Sequence, residues 1–242
     1  MTPFGIALQF LTRLPIHLKN VPTPEQNGRS LLYYPLVGAV LGFILCVAAY
    51  LLADAPEYLG AALLLSVWVI LTGGLHMDGL ADSADAWVGG YGDRERTLSI
   101  MKDPRSGPMG ILAIVLVLLI KWSALVAILP SGDAWGVLLA TTIAARAMMV
   151  VMLTRLPSVR AQGLGSDLAA YVPAKTALWV VLISAVLVLW LLGITAVFAL
   201  VIFYGFVGYA LHKRLGGTTG DTAGAVLELC ETLLLVVVAL NL

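Results

Sequence analysis

The sequence is poor in charged residues and in cysteine. Of its 242 residues only 12% are Asp, Glu, Lys or Arg, about half of what soluble domains contain. Cys46 and Cys230 both lie in apolar runs, so they form neither a disulfide framework nor a spaced set of metal ligands. The 14 basic and 14 acidic residues balance, which leaves no positive excess for binding nucleic acid. These absences exclude a soluble domain and a nucleic-acid-binding protein.

Long apolar runs, in contrast, are abundant, since 60% of the residues are hydrophobic. They predict an all-α polytopic membrane protein with about seven transmembrane helices in a single domain, 1–242. Residues 1–35 contain several prolines and polar residues and are interpreted as an interfacial segment in contact with lipid. The transmembrane bundle then occupies 36–242. Its predicted spans are 36–53, 59–75, 109–129, 135–153, two spans within 177–211 that meet at Gly193, and 224–240.

The distribution of Lys and Arg predicts the orientation of these spans. If the N-terminus is cytoplasmic, 12 of the 14 basic residues, Lys19 and Arg160 among them, fall in cytoplasmic segments. The other two, Lys121 and Arg146, lie within predicted spans. Cytoplasmic segments of membrane proteins are enriched in these residues, so we expect the N-terminus and most of the polar groups to face the cytoplasm.

Three aspartates follow the second apolar run at helical spacing. If 65–87 is one helix, Asp78, Asp82 and Asp85 occupy one stripe about 60° wide. Like charges this close need a cation among them or must share protons, although they could also be solvated at the headgroup level. Carboxylate oxygens without cysteine favour Mg²⁺ over zinc. The stripe therefore predicts a magnesium site.

Two further polar segments face the same predicted side. Lys102 and Arg105 are candidates to bind phosphate, and Asp103 between them is a candidate fourth metal ligand; the alternative is ordinary cytoplasmic anchoring. The segment 216–224 resembles an anion-binding loop that leads into a helix, with Gly220 at its centre. Asp221 is the candidate general base there, although Asp221 or Thr222 could simply cap the helix.

Four charged residues lie inside predicted spans, namely Lys121, Arg146, Glu228 and Glu231. Because isolated charges in a membrane are expensive, we expect them to pair with one another. Either glutamate could instead extend the polar site inward.

Two classes of function fit these features. One is a membrane-embedded phosphotransferase, in which a carboxylate-held Mg²⁺ grips a diphosphate and a base activates a hydroxyl group. The other is an ion-coupled transporter, which would bind its ion near the midplane of the membrane. The absence of a detectable inverted repeat and the gathering of polar groups at one face favour the enzyme.

Several blocks together resemble the cobalamin synthase (adenosylcobinamide-GDP ribazoletransferase) family. They are Asp78-Gly-Leu-Ala-Asp82-Ser-Ala-Asp85, Met101-Lys-Asp-Pro-Arg105, Gly217-Thr-Thr-Gly-Asp221 and Phe10-Leu-Thr-Arg13-Leu-Pro15. The resemblance implies transfer of adenosylcobinamide phosphate from adenosylcobinamide-GDP to α-ribazole or α-ribazole 5′-phosphate. The products would be adenosylcobalamin or its 5′-phosphate and GMP, with Mg²⁺ required, at the inner face of the bacterial plasma membrane.

The roles assigned on this basis divide the candidate residues into three groups. The metal ligands are Asp78, Asp82, Asp85 and Asp103; the catalytic residues are Asp221 and Asp82; the substrate-binding residues are Lys102, Arg105, Arg13 and Gly220.

The chemistry is also similar to that of the CDP-alcohol phosphotransferases of lipid synthesis, which are an alternative assignment. Asp82, Asp85 and Asp103 match the first three acids of that family's motif. Gly107 stands where the fourth acid, the base, is expected. The base is therefore left open between Asp78 and Asp221.

Overall fold

The structure, a computed structural model, describes residues 2–17, 20–159 and 164–242. Lys19 and Arg160, which contribute to the predicted orientation, lie outside these residues. The described residues are helical apart from loops and one isolated bridge. Their α-helices are α1 (Pro3–Leu11), α2 (Pro24–Ser30), α3 (Tyr34–Leu51), α4 (Glu57–Thr72), α5 (Leu75–Gly89), α6 (Arg94–Ile100), α7 (Pro108–Ile128), α8 (Ala134–Arg155), α9 (Leu164–Tyr171), α10 (Ala174–Leu215) and α11 (Gly220–Ala239).

The all-α membrane architecture is confirmed. In the described part of the chain, five helical runs are long and apolar enough to cross a membrane: Pro24–Leu51, Pro108–Ser131, Ala134–Arg155, Ala174–Leu215 and Gly220–Ala239. The bent pair α4 and α5 adds a sixth if it is counted as one span. The expected number of about seven is close to this count, and the cytoplasmic N-terminus stays a prediction.

Helix α10 is a hairpin of two arms that meet at Gly193. Gly193 has φ 80° and ψ −179°, a conformation that is available essentially to glycine alone. Val181 before this residue and Val197 after it line the same cavity of about 190 Å³ against Ala144 of α8. A straight helix could not bring both to one place. The predicted hinge is therefore confirmed, and α10 supplies two segments to the bundle.

The expectation of one helix over 65–87 is wrong. Helix α4 ends at Thr72, and Gly73 and Gly74 have φ of 65° and 68°, so both backbones are left-handed and the helix cannot continue. Helix α5 starts immediately afterwards at 89° to α4. The acidic segment is thus a separate helix that turns away from its span. Because α5 is unbroken from Leu75 to Gly89, its three aspartates keep the predicted angular spacing.

The predicted pairing of intramembrane charges is confirmed, and it ties three helices together. Lys121 Nζ on α7 lies 2.5 Å from Glu228 Oε2 and 2.6 Å from Glu231 Oε2 on α11. Arg146 on α8 donates through Nη1 to Glu231 Oε1. All four side chains are buried. Two cations and two anions give a neutral cluster, which limits the cost of placing charge inside the membrane.

Lys121→Met should lower the free energy of unfolding by about 3–5 kcal/mol, because two buried carboxylates are left with one cation. The double variant Lys121→Met/Glu228→Gln removes one charge of each sign and should recover much of this loss. Thermal unfolding in detergent micelles measures the double variant and the two single variants, Lys121→Met and Glu228→Gln. A double variant that loses as much as the two single variants together would contradict the pairing.

Candidate active site

The helix that bears the acidic stripe, α5, passes directly over the first turn of α11. A Cβ atom placed on Gly79 would lie 2.7 Å from the carbonyl oxygen of Asp221 and 3.1 Å from its Cα, which is closer than non-bonded atoms approach. Only a residue without a side chain permits this contact. Gly79 follows Asp78 and precedes Asp82 by less than one turn. The structure therefore brings the backbone of Asp221 to the turn of α5 that connects Asp78 and Asp82.

The two faces of α5 differ in polarity. Asp78 is exposed and Asp82 is partly buried. At 100° per residue, Leu80 and Trp87 project from the opposite side of the helix. They line an apolar groove of about 530 Å³ together with residues of α7, α10 and α11. This division of faces is that of a helix lying at a membrane boundary, with Asp78 on the side that faces water.

Asp85 also fixes the start of α7. Its Oδ2 accepts a hydrogen bond of 2.7 Å from the backbone N–H of Gly107, and its Oδ1 accepts one of 2.9 Å from Gly110. The first N–H groups of a helix lack partners within it, so a carboxylate there stabilises the helix end. Both oxygens of Asp85 thus hold α7 beside α5. Its predicted role as a metal ligand stays a prediction.

Asp103 and Arg105 pair with each other. Arg105 Nη2 lies 2.7 Å from Asp103 Oδ2, and its Nε lies 3.0 Å from Oδ1. Hydrogen bonds from the Arg105 side chain and backbone lower the pKa of Asp103 to about 2. Lys102 is exposed in the same loop, beside the α7 terminus that Asp85 caps. The predicted roles of these three residues toward metal and phosphate stay predictions.

The carboxylates are not gathered into a closed cage. In the described ranges, no three residues among Asp, Glu, His and Cys are placed to hold an ion together. Magnesium does not require such a set, because it is commonly held by one or two carboxylates, several waters and the phosphates of a substrate. Asp78 and Asp82, one turn apart on the accessible face of α5, fit this open kind of site.

The segment 216–221, called here the 216–221 loop, runs from the end of α10 into the first turn of α11 and is fixed there by hydrogen bonds. Thr219 caps the helix: its Oγ1 accepts from Thr222 N at 3.1 Å, and its N–H donates to Thr222 Oγ1 at 2.8 Å. These two threonines therefore cap the helix, and Thr222 is one of the two capping residues that the sequence left open. The other, Asp221, lies inside the first turn. Gly220 is exposed, with open space where a Cβ would lie. The predicted binding role of Gly220 is untouched by these contacts and stays a prediction.

Two other segments reach the same end of the bundle. Met101 Sδ lies 4.0 Å from Thr219 Oγ1, which joins the 101–107 loop to the 216–221 loop. Arg13 donates its backbone N–H to Leu71 O at 2.7 Å, and its side chain packs against Gly73. Arg13 is thus exposed at the bend that precedes Asp78, in a position compatible with its predicted contact with substrate.

Two arginines to which the sequence assigns only a cytoplasmic position, Arg94 and Arg214, hold α6 in place. Arg94 Nε donates to Leu215 O at 2.7 Å. Arg214 donates through Nη2 to Trp87 O at 2.9 Å and through Nε to Thr97 Oγ1 at 3.2 Å. These bonds join α6 to the ends of α5 and α10. The sequence signal for this role was the position of Arg214 in the last turn of a helix. Cations are favourable there because the last carbonyl groups of a helix have no partner within it.

Comparison with known proteins identifies the family of this chain. The family model for cobalamin-5-phosphate synthase matches residues 3–239. The chain belongs to this family. It is 52% identical over 242 residues to a Pseudomonas putida protein named adenosylcobinamide-GDP ribazoletransferase, with 100% of both chains covered. It is 53% identical over 243 residues to a Pseudomonas fluorescens protein of the same name, with 99% of this chain and 100% of the relative covered. No solved structure matches the chain.

Membership of the cobalamin-5-phosphate synthase family confirms the resemblance that the four sequence blocks indicated. Three of these blocks, around 78–85, 101–105 and 217–221, meet at one end of the bundle through Gly79 and Met101. The fourth, around Arg13, lies against the bend that leads into α5. The fold therefore brings these four blocks toward one end of the bundle.

Gly79→Ala should destabilise the protein by about 1–3 kcal/mol, because the added methyl group meets the backbone of Asp221 and forces two helices apart. Thermal unfolding in detergent measures the change. Gly205→Ala is the matched control, since Gly205 is an exposed helical residue with nothing within 4 Å of the added Cβ. Equal stability of the two variants would show that the close contact does not exist.

Proposed function

We propose that this chain transfers adenosylcobinamide phosphate from adenosylcobinamide-GDP to α-ribazole or α-ribazole 5′-phosphate, with Mg²⁺ required. The products are adenosylcobalamin or its 5′-phosphate and GMP. The observation that supports this best is the contact of the Asp221 backbone with the acidic helix at Gly79, because Asp221 is the candidate base and that helix carries the candidate metal ligands. The names of the relatives supply the substrate class.

The transfer is a substitution at one phosphorus atom. A ribose hydroxyl oxygen of the acceptor forms a bond to the phosphorus that is attached to cobinamide. The bond from that phosphorus to the bridging oxygen breaks, and GMP leaves with the electron pair. The hydroxyl proton passes to a carboxylate of the protein. This chemistry depends mainly on positioning and on compensation of negative charge.

Asp78 and Asp82 would hold the magnesium ion on the accessible face of α5. When bound, Mg²⁺ neutralises charge on the diphosphate oxygens and on the departing phosphate. Lys102 and Arg105, both exposed beside the start of α7, bind the diphosphate from the side of the 101–107 loop. Arg105 can exchange Asp103 for a phosphate group, because both offer two oxygens to its planar guanidinium.

Asp221 is the better candidate for the base. It lies at the N-terminus of α11, where the helix dipole stabilises a carboxylate, and its backbone touches α5 between Asp78 and Asp82. Asp221 is thus close to Asp78 and Asp82 without being on the same helix. A base must first be within reach of the hydroxyl group. Asp221 can meet this requirement if the acceptor enters between α5 and α11.

We place this site at the cytoplasmic face of a bacterial inner membrane. The polar loops 101–107 and 216–221 meet at the end of the bundle to which the sequence assigns the basic residues, and basic loops remain on the cytoplasmic side. A nucleotide-activated substrate is available there.

The alternatives are weaker. In the described residues, the carboxylates inside the membrane are paired with Lys121 and Arg146, which leaves an ion-coupled transporter without an open ion site at that depth. Against a CDP-alcohol phosphotransferase, the position of its fourth acid is Gly107, whose N–H is donated to Asp85.

Asp82→Asn should reduce GMP release at least about 100-fold, because an amide cannot supply the negative charge that the ion needs. Release of GMP from adenosylcobinamide-GDP is measured in detergent across a Mg²⁺ titration, where no ion gradient exists. Removal of Mg²⁺ with a chelator should abolish the wild-type activity. Asp54→Asn, an exposed aspartate in the turn after α3, is the control and should retain it. Wild-type turnover by Asp82→Asn would contradict the metal role.

Asp221→Asn should lower kcat by about 10²- to 10⁴-fold and leave the KM for the donor unchanged, as expected for loss of a general base. The pH profile of kcat should lose its acidic limb in this variant. Asp78→Asn, measured alongside, tests the other candidate: if Asp78→Asn loses the limb and Asp221→Asn keeps it, the assignment of the base is wrong.

A further inference from the structure

Arg94 and Arg214 are both fixed by uncharged acceptors. Arg94 Nε bonds the carbonyl of Leu215, and Arg214 bonds the carbonyl of Trp87 and the hydroxyl of Thr97. The Arg214 guanidinium also lies over the Trp87 ring, 5.2 Å from its centroid. These contacts orient the two side chains but leave their positive charges in place.

No carboxylate compensates these charges among the residues that the structure describes. The ion pairs found there belong to Arg105, Lys121 and Arg146. An arginine has five N–H donors, and among the described residues the hydrogen-bond partners occupy only Nε of Arg94 and Nε and Nη2 of Arg214, so the other donors can meet a ligand. Arg94 is exposed and Arg214 is partly buried. Two oriented guanidinium groups with spare donors form a ready site for an anion with several oxygens.

The site is separate from the predicted metal site and close to it. Trp87, which Arg214 contacts, follows Asp82 by five residues and Asp78 by nine, or about 8 and 14 Å along α5 at 1.5 Å per residue. Leu215, which Arg94 contacts, directly precedes the loop that ends at Asp221. The two arginines thus lie at the end of α5 that is far from Arg13, with Arg214 beside Trp87 and Arg94 beside the end of α10.

We propose that Arg94 and Arg214 bind the phosphate monoester of a phosphorylated acceptor, α-ribazole 5′-phosphate, and so set the preference for the phosphorylated over the free nucleoside. This rests on the proposed function. The reaction then brings together two phosphorylated substrates, and each needs its own cations. The donor diphosphate is assigned to Mg²⁺, Lys102 and Arg105. A monoester carries nearly two negative charges and three acceptor oxygens at neutral pH, which matches two guanidinium groups.

A phosphorylated ribose holds its reacting hydroxyl and its phosphate on different carbons of one sugar. Arg94 is bonded at Leu215, where α10 ends, and Asp221 lies six residues later in the first turn of α11. With the phosphate at Arg94 and Arg214, the sugar would span from this helix end to Asp221. The acceptor is then oriented before the bond forms, which lowers the entropic cost of the reaction.

The test compares two acceptors in Arg94→Gln, Arg214→Gln and the double variant. We expect the KM for α-ribazole 5′-phosphate to rise about 10- to 100-fold for each lost charged contact. The KM for unphosphorylated α-ribazole and the KM for adenosylcobinamide-GDP should stay within about 3-fold of wild type. Arg96→Gln is the matched control, because Arg96 is on the same helix but lies over the Tyr91 ring, and it should behave as wild type with both acceptors.

Arg214→Gln removes contacts that hold α5 and α6, so turnover of α-ribazole serves as its internal measure of correct folding. Arg214→Lys retains the charge and should lose less affinity for the phosphorylated acceptor than Arg214→Gln. Equal losses with both acceptors, or a raised KM for the donor, would overturn the proposal.

A phosphate group could also come from a lipid headgroup, and vesicles separate the two sources. Wild type and the double variant are reconstituted in phosphatidylcholine alone and with phosphatidylglycerol. The proposal predicts the same selective rise in KM in both. A loss confined to the phosphatidylglycerol vesicles and equal for both acceptors would assign the arginines to lipid instead. If wild type releases no GMP with either acceptor, the proposed function itself fails; if it uses both acceptors and the variants are unchanged, only this inference fails.

Discussion

The contact between Gly79 of α5 and the backbone of Asp221 is the constraint on which the rest of the site depends. It joins two segments that are far apart in the sequence, and it requires a residue without a side chain. Helix α11 can serve as a fixed support because Glu228 and Glu231 hold it to Lys121 on α7, and Glu231 also to Arg146 on α8. The charges in the membrane interior therefore stabilise the scaffold, while those at its end remain accessible for chemistry.

The second constraint is the turn of α5 away from its span. Gly73 and Gly74 both take left-handed backbone conformations, so the chain leaves the bundle direction and presents one face of α5 to the aqueous side. Asp85 then uses both carboxylate oxygens to anchor the start of α7. Arg214 holds the same end of α5 through the carbonyl of Trp87, and the contact of Gly79 with Asp221 holds the helix near its start. Helix α5 is thus held near both ends, with Asp78 exposed and Asp82 partly buried on its polar face.

Much of this could be predicted from local sequence, because the membrane imposes strong rules. Apolar length located the spans, the spacing of Asp78, Asp82 and Asp85 located the stripe, and Gly193 marked the hairpin of α10. The bend at Gly73 and Gly74 was missed, since the apolar run continues through both glycines and periodicity alone cannot show a positive φ. The capping by Asp85 and the role of Arg214 could not be predicted either, because both depend on backbone groups from other helices whose approach is a tertiary property.

The most direct test of the central claim, that Asp78 and Asp82 hold a divalent ion beside Asp221, is Mn²⁺ binding followed by electron paramagnetic resonance, which detects the free ion. The purified protein in detergent is titrated with Mn²⁺ in the presence of GDP. We predict that wild type and the control Asp54→Asn remove Mn²⁺ from solution, and that the double variant Asp78→Asn/Asp82→Asn leaves it free. Equal Mn²⁺ binding by all three proteins would contradict the assignment of the ion to α5.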